Sequence, residues 1–293
     1  MKIAIYGRTF TAEFRKYSVE FFGNLKEKGV EISIYKPFLE FLKREMDCSL
    51  HYSGLFSSAD DAPSDVDFLI SIGGDGTFLE SIMFLKNFDI PVIGLNSGRL
   101  GFMANISKEE ISESIDFIIR GDYDVELRSM ISIKSTTGEF GRFNYALNEV
   151  TVQKNDSAMI NVDAYLDNEY LNSYWTDGLI VSTPTGSTAY NLSVGGPIVL
   201  PGSDNFIIVP IASHNLTVRP LVIPDNKEIR LEVKSRSGNY LLTADNHRTL
   251  LGEKATTIVM QRASFNLKMV NLPFNNYYST LRNKLMWGAD KRN

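Results

Sequence analysis

Asp67-Phe68-Leu69-Ile70-Ser71-Ile72-Gly73-Gly74-Asp75-Gly76-Thr77 is the stretch that decides the fold. Its first six residues are a near-continuous apolar run, the pattern of a strand buried on both faces of a parallel sheet. Three glycines in four positions follow, and Thr77 to Lys86 then reads as a helix. The alternation extends both ways. Upstream, Lys2 to Tyr6 reads as a strand. Thr11 to Lys28 carries Phe14, Tyr17, Val19, Phe21, Phe22 and Leu25 at mostly helical spacing, and Gly29 stops it. Val30 to Tyr35 alternates as a strand, Pro37 to Glu45 reads as a helix and Ser57 to Ser64 as a polar loop. Downstream, Pro91 to Leu95 is a further strand. Strands and helices alternating through short links imply a parallel sheet with helices on both faces.

After about residue 125 the texture changes. Met130 to Ser135, Tyr145 to Val152, Met159 to Leu166, Gly178 to Ser182, Phe206 to Ile211, Glu228 to Val233 and Thr256 to Gln261 are short and rich in β-branched residues. Turn residues (Gly138, Asn155-Asp156, Asp167-Asn168, Gly238-Asn239) separate them, and Thr188 to Val194 is the one helical candidate among them. This is the pattern of a β-rich domain. Tyr277 to Trp287 closes the chain as an amphipathic helix. The expected division is an α/β domain with a parallel sheet over 1–115, a β-rich domain over 116–270, and a C-terminal helical segment over 271–293.

Composition narrows the class. Over 293 residues, 43% are apolar and 22% charged, which excludes a disordered chain, a collagen and a coiled coil. No apolar run approaches the roughly 18–20 residues of a membrane span, and the apolar part of the N-terminus is too short for a signal peptide. The single cysteine, Cys48, excludes a disulfide framework and a thiolate zinc site, and fits a reducing cytoplasm. A net charge of -5 disfavours nucleic acid and anionic membranes as partners. It does not disfavour a small phosphorylated ligand, which local donors can hold.

Three stretches carry chemistry. In Gly73-Gly74-Asp75-Gly76-Thr77, glycines permit positive φ and close ligand approach, and the helix that follows offers N–H groups and a positive dipole end to a phosphate. Asp75 is anomalous there, because an acid repels phosphate unless it takes a proton or holds a metal ion. A tight turn with Asp75 as an N-cap-like residue is an equal alternative. In Asp177-Gly178-Leu179-Ile180-Val181-Ser182-Thr183-Pro184-Thr185-Gly186-Ser187-Thr188-Ala189-Tyr190, a strand runs into small hydroxyl and turn residues that could bond a base, ribose or phosphate. Composition alone favours a surface loop. Asn148-Glu149 is a polar pair at a strand end; a solvent-facing edge is the commoner arrangement. Neither the P-loop nor the dinucleotide glycine fingerprint is present, and no two histidines sit at metal-ligand spacing.

Taken in order, Gly73-Gly74-Asp75-Gly76, Asn148-Glu149, and Asp177-Gly178 with Thr183 to Tyr190 resemble the NAD kinase family. Gly98-Arg99-Leu100-Gly101-Phe102, His214 to Pro220, and Leu281-Arg282-Asn283-Lys284-Leu285-Met286-Trp287 agree with it, so the resemblance covers essentially the whole chain. Gly-Gly-Asp-Gly alone is shared with diacylglycerol kinases, sphingosine kinases and phosphofructokinases; the 183–190 stretch is far more specific. The resemblance implies ATP-dependent phosphorylation of the adenosine ribose 2′-hydroxyl of NAD, helped by Mg²⁺, in a cytoplasmic homodimer or homotetramer. It implies an α/β domain, a β-sandwich-like second domain, and a last helix that packs back on the first.

Residue by residue, it makes Asp75 the general base and Gly76 its backbone neighbour, with Gly73, Gly74, Gly76 and Thr77 as the phosphate loop. Asn148 and Glu149 become contacts to adenine and ribose, and Asp177 a contact to the nicotinamide end. Thr188, Ala189, Tyr190, Asn191, Leu192 and Ser193 line the dinucleotide, with Ala212 a weaker correspondence. No protein residue is assigned to a metal. Where the family often has Asp-Gly-Gln, this chain has Asp245-Asn246-His247; His247 either donates to the new phosphate or sits in a surface turn. A lipid kinase and a non-catalytic NAD(H)-binding regulator are the competing functions. The first lacks a membrane-binding helix here, and the second has no need of Asp75.

Overall fold

The computed structural model describes residues 1–46, 50–85, 88–135, 144–252 and 257–288. Cys48, Lys86, Gly138 and Thr256 lie outside them. The chain divides into two compact units, one of Met1–Glu126 with Lys268–Asn293 and one of Leu127–Leu267.

In the first unit, β1 (Lys2–Gly7), β2 (Glu31–Tyr35), β3 (Gly54–Phe56), β4 (Phe68–Gly73) and β5 (Val92–Asn96) form a parallel sheet in the order β3-β2-β1-β4-β5. Helices α1 (Arg15–Glu27), α2 (Lys36–Glu45), α3 (Asp75–Ile82) and α4 (Ile111–Arg120) intervene. β1 and β4 show why periodicity exposed this domain: nearly every residue is buried, as two covered faces require. Phe14, Phe21, Phe22 and Leu25 of the α1 region pack with Ile3, Ile5, Ile32, Ile34, Ile70 and Ile72 in one core. The strand order reverses between β1 and β4. Ligands of open parallel sheets bind at the carboxyl ends of strands at such a switch point, and Gly73 is the carboxyl end of β4.

β6 (Asp124–Ser135) leads into the second unit. There follow β7 (Tyr145–Ala146), β8 (Glu149–Lys154), β9 (Ile160–Leu166), β10 (Glu169–Thr176), β11 (Gly178–Ser182), the single-turn α5 (Tyr190–Ser193), β12 (Asn205–Ile211), β13 (Leu221–Pro224), β14 (Ile229–Lys234), β15 (Asn239–Ala244), β16 (His247–Gly252) and β17 (Thr257–Asn271). One sheet runs β13-β12-β11-β8-β15-β16, and all its pairings are antiparallel. The other runs β10-β9-β14-β17, with β6 beside β17. Val150, Val152, Leu179, Val181, Phe206, Ile208 and Leu242 of the first sheet share a core with Val162, Ala164, Leu231, Val233, Ile258 and Met260 of the second. The unit is therefore a β-sandwich. The end of β17 belongs to the first unit, where Met269 pairs with Val92, and α6 (Tyr277–Leu285) follows.

Several elements differ from their sequence signals. The helix expected from Thr77 begins at Asp75, because its N-cap is Gly74. The Thr188–Val194 helix is a 3-10 turn over Thr185–Thr188 and one turn of α5. Periodicity gave no notice of α4, although Ile111, Ile115 and Ile118 form a buried stripe, Ser107 and Glu110 make a capping box, and Gly121 ends the helix at φ 76°. β17 outruns its predicted six residues because Arg262, Asn266 and Lys268 lie within it without ending it.

Asn96 ends β5 and the next residues fold back over that strand: the Ile106 N–H donates to the Gly94 carbonyl, and the Asn96 N–H to the Ile106 carbonyl. Gly94 makes this crossing possible, since a Cβ there would sit 2.3 Å from the Met103 carbonyl oxygen. The obstacle is backbone on both sides, so relief requires moving the 98–106 segment. Gly94→Ala is expected to lower stability by about 1–3 kcal/mol or more, read as a fall in the urea midpoint. An unchanged midpoint would remove the crossing as a constraint.

Candidate active site

Gly73 ends β4, Gly74 caps α3, and Asp75, Gly76 and Thr77 make its first turn. The expected positive φ is absent: Gly74 has φ -103°, and none of the three glycines is among the positive-φ residues. What glycine provides at 74 and 76 is space, because a Cβ at either would meet nothing within 4 Å. The helix start also keeps its positive dipole end.

Asp75 does not cap its own helix. Its carboxylate reaches across to Phe102, Met103 and Ala104, whose three successive N–H groups donate to it at 2.9, 2.9 and 3.0 Å. Lys284 Nζ of α6 lies 3.3 Å from Oδ2. A Cβ on Gly101 would fall 2.0 Å from Oδ1, so glycine is required for this approach. The N-cap alternative is corrected accordingly: the acid is aimed at the 101–104 loop. Asn96, buried, completes that loop by accepting from the Gly98 N–H and donating to the Arg99 and Ala104 carbonyls. Sequence reasoning missed Asn96, which looked like one polar residue at a strand end.

The second unit repeats the device. Asp245 opens the two-residue turn between β15 and β16 at φ 47°, and its carboxylate accepts the N–H groups of Leu147, Asn148 and Glu149 at 2.7, 2.8 and 3.1 Å. His247 is exposed and begins β16 opposite Ala244. The Asn148 carbonyl accepts from the Thr183 N–H, which fastens the 183–187 turn against the same three residues. The Tyr190 N–H at the start of α5 faces the Glu149 carboxyl. Asn148, Glu149, the 183–190 segment and the Asp245 turn are thus brought together.

Burial and the neighbouring Asp245 push the Glu149 carboxyl up to about 8. Burial pushes Asp245 up to about 6, against the three amides that favour its ionised form. At neutral pH, Glu149 holds a proton.

The hydroxyls of the 182–187 segment do not face a ligand. Ser182, Thr183 and Ser187 are fully buried, and their hydroxyls donate to the carbonyls of Asn148, Leu147 and Val199 respectively. They build the turn, which corrects the expectation that they offer themselves to a base or ribose. Asn191 is also fully buried, its amide donating to the Ser187 and Pro197 carbonyls. Thr188, Ala189 and Leu192 are half-buried, and Tyr190 and Ser193 are exposed.

Asp177 and Ala212 stand apart. Asp177 pairs with Lys154 at 2.7 Å and precedes β11, whose far end, Ser182, lies opposite Glu149. Five strand residues put the two ends about 17 Å apart. Ala212, with φ 48°, follows Ile211 at the Asp177 end. Tyr190 bridges the distance: its N–H is at Glu149, and its hydroxyl accepts from Gln153, which pairs with Gly178.

Among the described residues, no group of three or more His, Cys, Asp or Glu side chains could hold a metal ion, and no helix is long and apolar enough to cross a membrane.

Comparison with known proteins supplies the family. Residues 14–123 match the ATP-NAD kinase N-terminal domain, and residues 147–272 match the ATP-NAD kinase C-terminal domain. The NAD kinase of Porphyromonas gingivalis strain W83 is 43% identical over 293 residues, 99% of each chain. Those of Bacteroides fragilis strain YCH46 and Flavobacterium psychrophilum are 42% and 40% identical over the whole of both chains. The fold is shared with yeast NADH kinase solved with NADH, at TM-score 0.86 and 24% identity over 99% of this chain and 89% of that one. It is also shared with an Archaeoglobus fulgidus NAD kinase solved with ATP, at TM-score 0.74 and 24% identity over 98% and 99%. Matched in both halves by the family's domains and end to end by these relatives, the chain belongs to the ATP-NAD kinase family.

Proposed function

We propose that this protein transfers the γ-phosphoryl group of ATP to the 2′-hydroxyl of the adenosine ribose of NAD, giving NADP and ADP. One observation carries the acceptor assignment. Asn148 Oδ1 and Glu149 Oε2, on consecutive residues, are buried side-chain oxygens without a hydrogen-bond partner among the described residues. Leaving each unsatisfied costs about 1–3 kcal/mol, so each calls for a hydrogen-bond partner. An adenine amino group suits the Asn148 amide, which pairs with adenine through two bonds. A ribose hydroxyl suits Glu149. Tyr190 and its neighbours then line the dinucleotide toward Asp177 and Ala212, while His247 stands exposed at the Asp245 turn as a donor for the new phosphate.

Asp75 is the proton acceptor in this reading. A ribose hydroxyl is a weak nucleophile, and a carboxylate within hydrogen-bond reach takes its proton as the new bond forms. The three amides from 102–104 fix the direction of that carboxylate, and the open space at Gly74 and Gly76 leaves the start of α3 accessible to phosphate oxygens. For Mg²⁺, the donor set here is amides, hydroxyls and one carboxylate, with no cage. That fits an ion carried by the phosphates of ATP, as Mg²⁺ commonly is, where it neutralises their charge. Family likeness supports a homodimer or homotetramer, and the lone cysteine supports a reducing cytoplasm.

Incubation with NAD, ATP and Mg²⁺, coupled to an NADP-specific dehydrogenase, is expected to show NADP formation; retained NAD binding without NADP would establish a regulator instead. Asp75→Asn is expected to lower kcat about 10²–10⁴-fold with a much smaller loss of NAD affinity, and wild-type turnover would remove Asp75 as base. Asn148→Ala is expected to raise the KM for NAD about tenfold with a smaller change in kcat; an unchanged KM breaks the adenine assignment. The Glu149 carboxyl binds its proton more tightly folded than unfolded, so its contribution to stability is complete below about pH 4.5 and is lost as pH rises toward about 8. Glu149→Gln should therefore flatten the decline in urea midpoint between pH 6 and 8.5, and a parallel decline in both proteins would refute the buried acid.

A further inference from the structure

Among the described residues, Lys284 is the charged side chain paired with Asp75, and the mechanism above leaves it without a role. A carboxylate has about four acceptor sites, two on each oxygen. The Met103 and Ala104 amides take both sites on Oδ1, and the Phe102 amide takes one on Oδ2. Lys284 Nζ takes the remaining site. Any hydroxyl that donates to Asp75 must therefore compete with Lys284 or with a backbone amide.

Lys284 is the easier of the two to displace. Its 3.3 Å separation is long for an N–H···O bond, whereas the amides sit at 2.9–3.0 Å. Its side chain is 37% exposed and that of Asp75 26%, the setting of a weak, water-screened ion pair. Displaced, the ammonium has somewhere to stay: it lies 5.2 Å from the centroid of the Phe102 ring, within cation–π range. The helix that carries it is held independently of Asp75. The Asn276 side chain accepts from the Tyr278 and Ser279 N–H groups, and Leu281 is buried.

We propose that Lys284 is a positioning residue for phosphoryl transfer, holding the fourth acceptor site of Asp75 until the substrate hydroxyl displaces it and then offsetting the negative charge that builds at the acceptor. The proposal rests on Asp75 being the proton acceptor. In the step itself, the ribose hydroxyl gives its proton to Asp75 Oδ2 while its oxygen forms a bond to the γ-phosphorus. The bond from that phosphorus to the β,γ-bridging oxygen breaks, and ADP leaves with the electron pair. Lys284 stays protonated throughout. Its cation is present in the transition state and competes with substrate in the ground state, a combination that raises kcat without tightening NAD binding.

The test compares K284M and K284R with the parent full-length chain in the coupled NADP assay, alongside thermal unfolding and calorimetric NAD binding. K284M is expected to lose about 10–100-fold in kcat with the KM for NAD unchanged or lower and Tm retained. K284R, which keeps the charge, should recover most of the loss. A K284M kcat within twofold of the parent overturns the proposal. So does a rise in KM that tracks a fall in Tm, or a loss that K284R fails to restore. D75N assayed in parallel separates the two levels. If D75N turns over normally, the base assignment falls and this proposal with it; if D75N is impaired and K284M is not, Lys284 alone is dismissed.

Discussion

One carboxylate gathering three successive backbone amides is the interaction on which the rest of this molecule depends. It occurs twice, once in each unit, at Asp75 for residues 102–104 and at Asp245 for residues 147–149. Three N–H groups in a row cannot all point one way in a regular strand or find partners inside a helix start, so something must satisfy them. An ionised acid does so with charge-assisted bonds about twice as strong as neutral ones. The result in each case is a rigid loop in which the backbone conformation is dictated by a single side chain far away in sequence.

The two acids work in different surroundings. Asp245 is half-buried beside Glu149; desolvation raises the proton affinity of both, and the Asp245 charge raises that of Glu149 further, so that Glu149 is protonated at neutral pH. That keeps a charge out of the strand end where Asn148 Oδ1 and Glu149 Oε2 are buried without partners among the described residues. Asp75 meets a lysine and keeps about a quarter of its side chain exposed. The same geometry therefore serves as a static brace in one unit and as an exchangeable contact in the other, and the difference lies in what occupies the last acceptor site.

Much of this was legible in the sequence. Apolar runs such as 68–72 announce doubly buried strands, and the change to β-branched segments announces the sandwich, because both follow from local periodicity. Motif order singled out Asp75, Asn148 and Glu149 as candidates. What sequence could not supply were partners fixed by long-range geometry. Asp75 reads locally as a helix cap, and only the return of the chain over Gly94 brings Phe102, Met103 and Ala104 to it. Asp245 reads as an ordinary turn residue, and only β15 pairing with β8 places it under Leu147. The hydroxyls of Ser182, Thr183 and Ser187 look like ligand donors in a string of letters, yet burial turns them inward.

Substitution at Asp75 acts on the loop as well as on the carboxylate's open face. Asparagine keeps the shape but presents an NH₂ group where the carboxylate accepted an amide, so one of the three N–H bonds must be lost. A loop held by 102–104 would loosen together with the chemistry. Lys284 offers the cleaner probe, since it meets the same carboxylate but carries none of the loop's amides. Glycine at 101 obeys the same logic from the other side: its missing Cβ is the space through which the acid reaches its loop. A family motif that looks like a phosphate turn is, in physical terms, a brace whose fourth acceptor site is held by a partly exposed lysine.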